Sequence, residues 1–290
     1  MSKSKKAKTA EAQAQTAKFI SSSRIYNILS QEGHEEIERP NSALLWSGLV
    51  AGLCISFSLL TETLLDYHLP DFEGAFLLSN FGYCVGFTMV ILGRFQLFTE
   101  NTISAVLPLL HKKDMRTLFM TVKIWCLVFL ANMIGTFTMA LMFTFTNVMQ
   151  PDVLATMTDI SDHAVHRPAG DIFVQAIPAG FLVATITWLL PNSQYSKFAV
   201  LIMMTYLIAI GDFAHVIVGS NEVFVLLLQS EISWLNGLTY IATAAAGNII
   251  GGTFLFSLMA YAQVRQEIGK DAEEQAAPSK PYKVAQSINT

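Results

Sequence analysis

Apolar residues run through this chain in long stretches that no charge interrupts: Pro40–Thr61, Gly74–Gly93, Ile124–Gln150, Ile172–Ser196 and Gly237–Val264. Each is long enough to cross a hydrocarbon layer of roughly 30 Å as a helix. A further stretch is broken, with Phe198–Gly211 followed by Asp212, His215 and Glu222 among more apolar residues. The run Gly74–Gly93 also meets a polar break, "RFQLFTEN", holding Arg94, Gln96, Glu100 and Asn101 before apolar residues resume. The pattern predicts an all-α membrane protein with six spans, the second and fifth interrupted.

Composition agrees, with 52% hydrophobic and 14% charged residues against roughly 25% charged in soluble domains. Charge placement orients the spans. Leu65–Glu73 and Asn221–Asn236 carry no Lys or Arg, and the long loop Val148–Gly170 carries only Arg167. "HKKDMR" (His111–Arg116), Lys197 and the parts of both tails near the membrane are basic, which puts both termini in the cytoplasm. Three regions follow: a cytoplasmic N-terminal tail (1–39), a transmembrane transport domain (40–264) and a cytoplasmic C-terminal tail (265–290). Residues 1–17 read as a disordered basic tail without the apolar core of a secretory signal. Ile25–Glu38 suits a short amphipathic helix at the membrane interface, stopped by Pro40. Cys54, Cys84 and Cys126 all fall inside spans as packing residues.

The two halves of the chain repeat. "ANMIGT" in span three holds Asn132 and "GNIIGG" in span six holds Asn248 (248 − 132 = 116), and the same step joins Thr99 to His215 at the two breaks. Three spans per half force the halves to run in opposite directions, an inverted repeat whose broken helices point to a transport site. A break inside the membrane is tolerated only where protein or a hydrated cavity covers the freed backbone groups. Two half-helix N-termini near the midplane create a positive potential with little formal charge, which favours a small anion.

"GRFQLFTENT", "FAHVIVGS" and "GNIIGG" resemble the motifs of the formate/nitrite transporter family, over about Ser42 to Gln263. The resemblance implies an aquaporin-like fold, a homopentamer in the bacterial inner membrane, and a pore for small monovalent anions in each protomer. It places the family's threonine on Thr99 and its pore histidine on His215. Leu97 and Phe98 fall on the inner constriction, Tyr83 and Phe87 on the span-two gate, and Ile208 on an aromatic gate position. The chain departs from the pattern at Ala184, where formate channels carry an asparagine that helps hold the histidine, and in the charges Arg94, Glu100 and Asp212. Arg167 is the nearest candidate for a basic vestibule residue.

On this reading His215 donates a proton so that a weak acid passes in neutral form, with Thr99 orienting it. Arg94 is expected to neutralise Glu100 or Asp212, or to snorkel, rather than touch substrate. Asn132 and Asn248, followed by small residues, are expected to let helices pack closely. Two alternatives stay open: a pore for a cation or neutral solute using Glu100 and Asp212, and an intramembrane enzyme binding a metal through Glu100, Asp212 and His215. No "NPA" motif occurs, which argues against an aquaporin. The partners expected are the lipid bilayer and a small anion, with no cofactor, no resident metal and no nucleic acid.

Overall fold

The computed structural model describes residues 20–276, and all regular structure among them is helical. The basic segment 1–17 and most of the C-terminal tail lie outside the described residues. Helix α1 (Ser22–Glu38) precedes α2 (Asn41–Ile55) and α3 (Phe57–His68), which run on as one apolar stretch, Asn41–His68. This helix passes straight through Glu62, the charge that ended the uncharged run at Thr61. Next come α4 (Ala75–Ser79), a short 3-10 turn and α5 (Cys84–Leu92), then α6 (Phe98–Ser104) and α7 (Val106–Lys112).

Helix α8 (Met115–Phe145) starts well before Ile124 because Asp114 caps it, accepting the Thr117 N–H at 2.8 Å. The segment read as a long loop, Val148–Gly170, contains α9 (Pro151–Val165), opened by Pro151 and Asp152 in its first turn. Then follow α10 (Ala169–Leu189), α11 (Lys197–Ile210), α12 (Val216–Leu228) and α13 (Trp234–Ile249), which continues through a π-helical stretch into α14 (Leu258–Ala276). Five of these helical stretches are long and apolar enough to cross a membrane, whereas α11 and α12 are shorter.

The breaks after α5 and α11 are the same turn built twice. Phe95 N–H reaches back to Val90 O (3.0 Å) and Arg94 N–H to Ile91 O (3.2 Å); Phe213 N–H reaches Ile208 O (3.0 Å) and Asp212 N–H reaches Ala209 O (2.9 Å). These paired bonds are the Schellman ending, with the left-handed residue usually reserved for glycine. Here that residue is Arg94 (φ 54°) in one turn and Asp212 (φ 55°) in the other. The geometry corrects the repeat step at the breaks. Arg94 aligns with Asp212 (212 − 94 = 118), so Leu97, and not Thr99, is the counterpart of His215.

Asn132 and Asn248 are ties rather than mere neighbours of small residues. Asn132 Oδ1 accepts the first N–H of α6, from Phe98 (2.9 Å), and its Nδ2 donates to Gly48 O and Gln96 O. Asn248 Oδ1 accepts the first N–H of α12, from Val216 (2.9 Å), and its Nδ2 donates to Ala176 O and Ala214 O. Each amide thus satisfies backbone groups that the break leaves open, as burial without water demands. Close approach of the backbones is left to glycine: a Cβ on Gly52 would collide with Asn132 O, and one on Gly180 with Asn248 O.

The apolar face of α1 packs on protein. Ile25, Tyr26 and Leu29 are buried with Ile103, Leu107 and Val264, and Tyr26 donates to Leu107 O at 3.1 Å. Ala184 belongs to this same cluster. Gly33 lets α1 lie directly on the Ser104 carbonyl.

Candidate functional site

The ends of the two broken helices meet at a buried pair of side chains. His215 caps α12, its Nδ1 accepting the Val218 N–H at 3.3 Å, while its Nε2 lies 2.7 Å from Thr99 Oγ1 in the first turn of α6. Because Nδ1 is the acceptor, the proton of the neutral ring sits on Nε2 and is donated to the Thr99 hydroxyl. Thr99 is fully buried and His215 is 2% exposed.

An aromatic column continues from this pair. Phe87 meets the His215 ring edge-on (centroids 4.8 Å) and Tyr83 follows it (5.4 Å). Ile208 is fully buried and lines a cavity together with Tyr83 and His215. Leu97 is fully buried as well. Phe98, by contrast, turns into α8, edge-on to Phe129 (4.9 Å) and Trp125 (6.2 Å).

Two cavities flank the buried group. One, of about 380 Å³, has His215, Tyr83 and Ile208 in its wall with Glu62, Asp212 and Glu222. The other, of about 410 Å³, is lined by Arg94, Gln96 and Glu100 with Glu36 of α1. Gln96 and Glu100 lie on the second cavity and His215 on the first, while Thr99 lines neither and is bonded to His215.

The charges pair differently from the expectation. Arg94 neutralises neither Glu100 nor Asp212; it is 80% exposed and reaches Glu32 of α1 at 3.5 Å, because the left-handed turn aims its side chain outward. Asp212 takes its cation from Arg167, which binds the carboxylate and, at 3.2 Å, the Asp212 carbonyl. Glu100 sits in the first turn of α6 and has no ion-pair partner among the described residues. Glu100, Asp212 and His215 do not converge, since Glu100 and Asp212 line different cavities, and among the described residues no three His, Cys, Asp or Glu could hold a metal ion.

Sequence reasoning missed two acids. Glu222 stands seven residues beyond His215, two turns along the same helical face, so its spacing was a usable signal. Glu62 offered none, because it merely ended an uncharged run.

An all-helical membrane protein in which two broken helices meet through side chains at their N-termini is a transport protein by architecture. Residues 23–262 match the formate/nitrite transporter family, and the chain belongs to it. Its members are transporters and channels for small anions, not enzymes. The inner membrane protein YfdC of Escherichia coli (strain K12) is 37% identical over 253 residues, covering 87% of this chain and 82% of that one. The uncharacterized transporter YrhG of Bacillus subtilis (strain 168) is 24% identical, covering 79% and 88%. Among solved structures, a pentameric formate channel with formate bound shares the fold (TM-score 0.67, 18% identity, 78% of this chain and 98% of that one). So does an FNT family ion channel (TM-score 0.71, 14% identity, 83% and 97%).

Proposed function

We propose that this chain forms a homopentamer in the bacterial inner membrane, each protomer carrying a passage for small monovalent weak acids of the formate or nitrite kind. The observation that carries the reading is the buried Thr99–His215 hydrogen bond, joining the two half-helix N-termini between two cavities. Fold neighbours that include a pentameric formate channel, and a relative named as an inner membrane protein, support the assembly and the location. The matched Schellman turns and asparagine ties support six crossings in two inverted halves, and the basic loops support cytoplasmic termini.

The passage runs from the His215 cavity past Tyr83, Phe87, Ile208 and Thr99 to Leu97 and the Glu100 cavity, with Phe98 turned out of it into α8. An anion loses much hydration energy at such an apolar barrier, whereas its neutral acid loses little. His215 is the proton donor. Proton uptake at Nδ1 displaces the Val218 N–H, and release of the Nε2 proton through the Thr99 hydroxyl to the cargo oxygen returns the ring to neutrality.

Flux in proteoliposomes tests this with formate, nitrite, acetate, lactate and hydrosulfide across about pH 5 to pH 8. Uptake of at least one anion is expected to rise as pH falls, and His215→Ala is expected to abolish that rise. An unchanged pH profile in His215→Ala overturns the proton-donor role, and no flux of any anion overturns the anion passage. A second reading, a pore for a cation or neutral solute, draws support from Glu100 on the second cavity, which has no ion-pair partner among the described residues. Asp212, held by Arg167, adds nothing to it. Reversal potentials under ion replacement separate the two.

A further inference from the structure

The cavity beside His215 is more acidic than an anion's route requires. Glu222 lines it with a side chain that has no hydrogen-bond or ion-pair partner among the described residues, although the residue is only 7% exposed. Glu62 of α3 lines the same cavity, half-buried and equally without a partner, and Asp66 and Asp159 stand exposed at its edge. The arginine that faces this cavity is already occupied: Arg167 donates to the Asp212 carboxylate and carbonyl, to Gln175 Oε1 (2.7 Å) and to His163 O (3.0 Å). His163 in turn lies 3.3 Å from the same Asp212 carboxylate. One buried and one half-buried acid therefore face the cavity with no bonded cation among the described residues, and such a carboxyl is relieved either by keeping its proton or by taking a mobile cation.

The wall also says which kind of cation. No three acidic or metal-ligating side chains converge on one point among the described residues, so a small metal ion lacks its donor shell. At about 380 Å³ the space is far larger than a bare ion. Phe76, Tyr83 and Phe213 add aromatic rings to the carboxylates, the pairing that receives ammonium groups through charge and ring faces together.

We propose that this cavity binds a small ammonium-type cation, with Glu222 and Glu62 as counter-charges and Tyr83 and Phe213 as the ring wall. The site stands on the cavity alone and does not depend on which anion, if any, the passage carries.

Calorimetric titration of the full-length protein in detergent tests it, with methylammonium chloride as probe and sodium chloride in parallel. Saturable methylammonium binding is expected, weakened about tenfold or more by Glu222→Gln and by Glu62→Gln, and changed less than about twofold by Asp66→Asn at the exposed edge. Absence of saturable binding, sodium binding as tight as methylammonium, or indifference to both glutamine variants would each overturn the site. Should Glu222→Gln not fold, Glu62→Gln decides alone. Formate uptake by the same wild-type preparation separates the two readings. Uptake without methylammonium binding removes only the cation site, and binding without uptake of any anion removes only the anion passage.

Discussion

At the scale of single residues, the arrangement rests on side chains that satisfy groups the backbone cannot. Thr99→Val leaves the His215 Nε2–H buried without an acceptor, a loss of about 1–3 kcal/mol. Proteoliposome uptake should fall about tenfold or more in Thr99→Val and recover in Thr99→Ser, which restores the hydroxyl. Equal uptake in all three proteins would remove Thr99 from the passage. Asn248→Ala and Asn132→Ala each strand one N–H and two carbonyls at a helix break, so each should destabilise the fold by about 3 kcal/mol or more. Thermal melting in detergent reads this directly. Arg94 gives the opposite sign: its left-handed backbone is strained, its side chain is exposed, and Arg94→Gly should stabilise by about 0.5 kcal/mol. Asp212→Gly should destabilise in the same assay, because it removes the partner of Arg167.

At the scale of elements, α1 is bound to the first break through one carboxylate. Glu36 Oε2 accepts from Ser104 Oγ (2.7 Å) and Asn101 Nδ2 (3.3 Å), and Oε1 accepts from Gln96 Nε2 (3.1 Å). Burial of this carboxyl against α6 pushes its pKa above the usual carboxylate range, more than its hydrogen bonds lower it. A raised pKa means that the docked helix takes up the proton more readily than the free one, so docking strengthens as pH falls through the raised value. Hydrogen exchange in Ser22–Glu38, corrected for the intrinsic rate, should slow on acidification, and Glu36→Gln should remove that dependence. Exchange with the same pH response in Glu36→Gln would rule this out.

At the scale of the whole molecule, apolar side chains such as Trp46, Phe119, Phe145 and Phe254 are exposed on the single chain. Lipid or neighbouring copies must cover such a surface, since patches of this kind do not face water. Native mass measurement from mild detergent should give five copies, and a monomer or dimer as the intact species would overturn the pentamer. The two cavities are also whole-molecule features. Each draws its wall from helices distant in sequence, so neither was visible along the chain.

The hydrophobic pattern by itself determined the helical class and the membrane, because uncharged runs of that length have few other stable outcomes. It also marked the two breaks, since a polar interruption between apolar runs is costly and must be covered, whereas the choice of Thr99 within the first break came from the resemblance. Tertiary structure alone decided the charge pairing. Whether Arg94 met Asp212 or Glu32 depended on a left-handed turn that a non-glycine sequence does not announce. It alone decided that α1 packs on protein, that Asn132 and Asn248 hold the breaks open, and that Glu62 and Glu222 share one cavity. Local pattern reports the cost of burying each residue, whereas the partners that offset this cost come from segments far away along the chain.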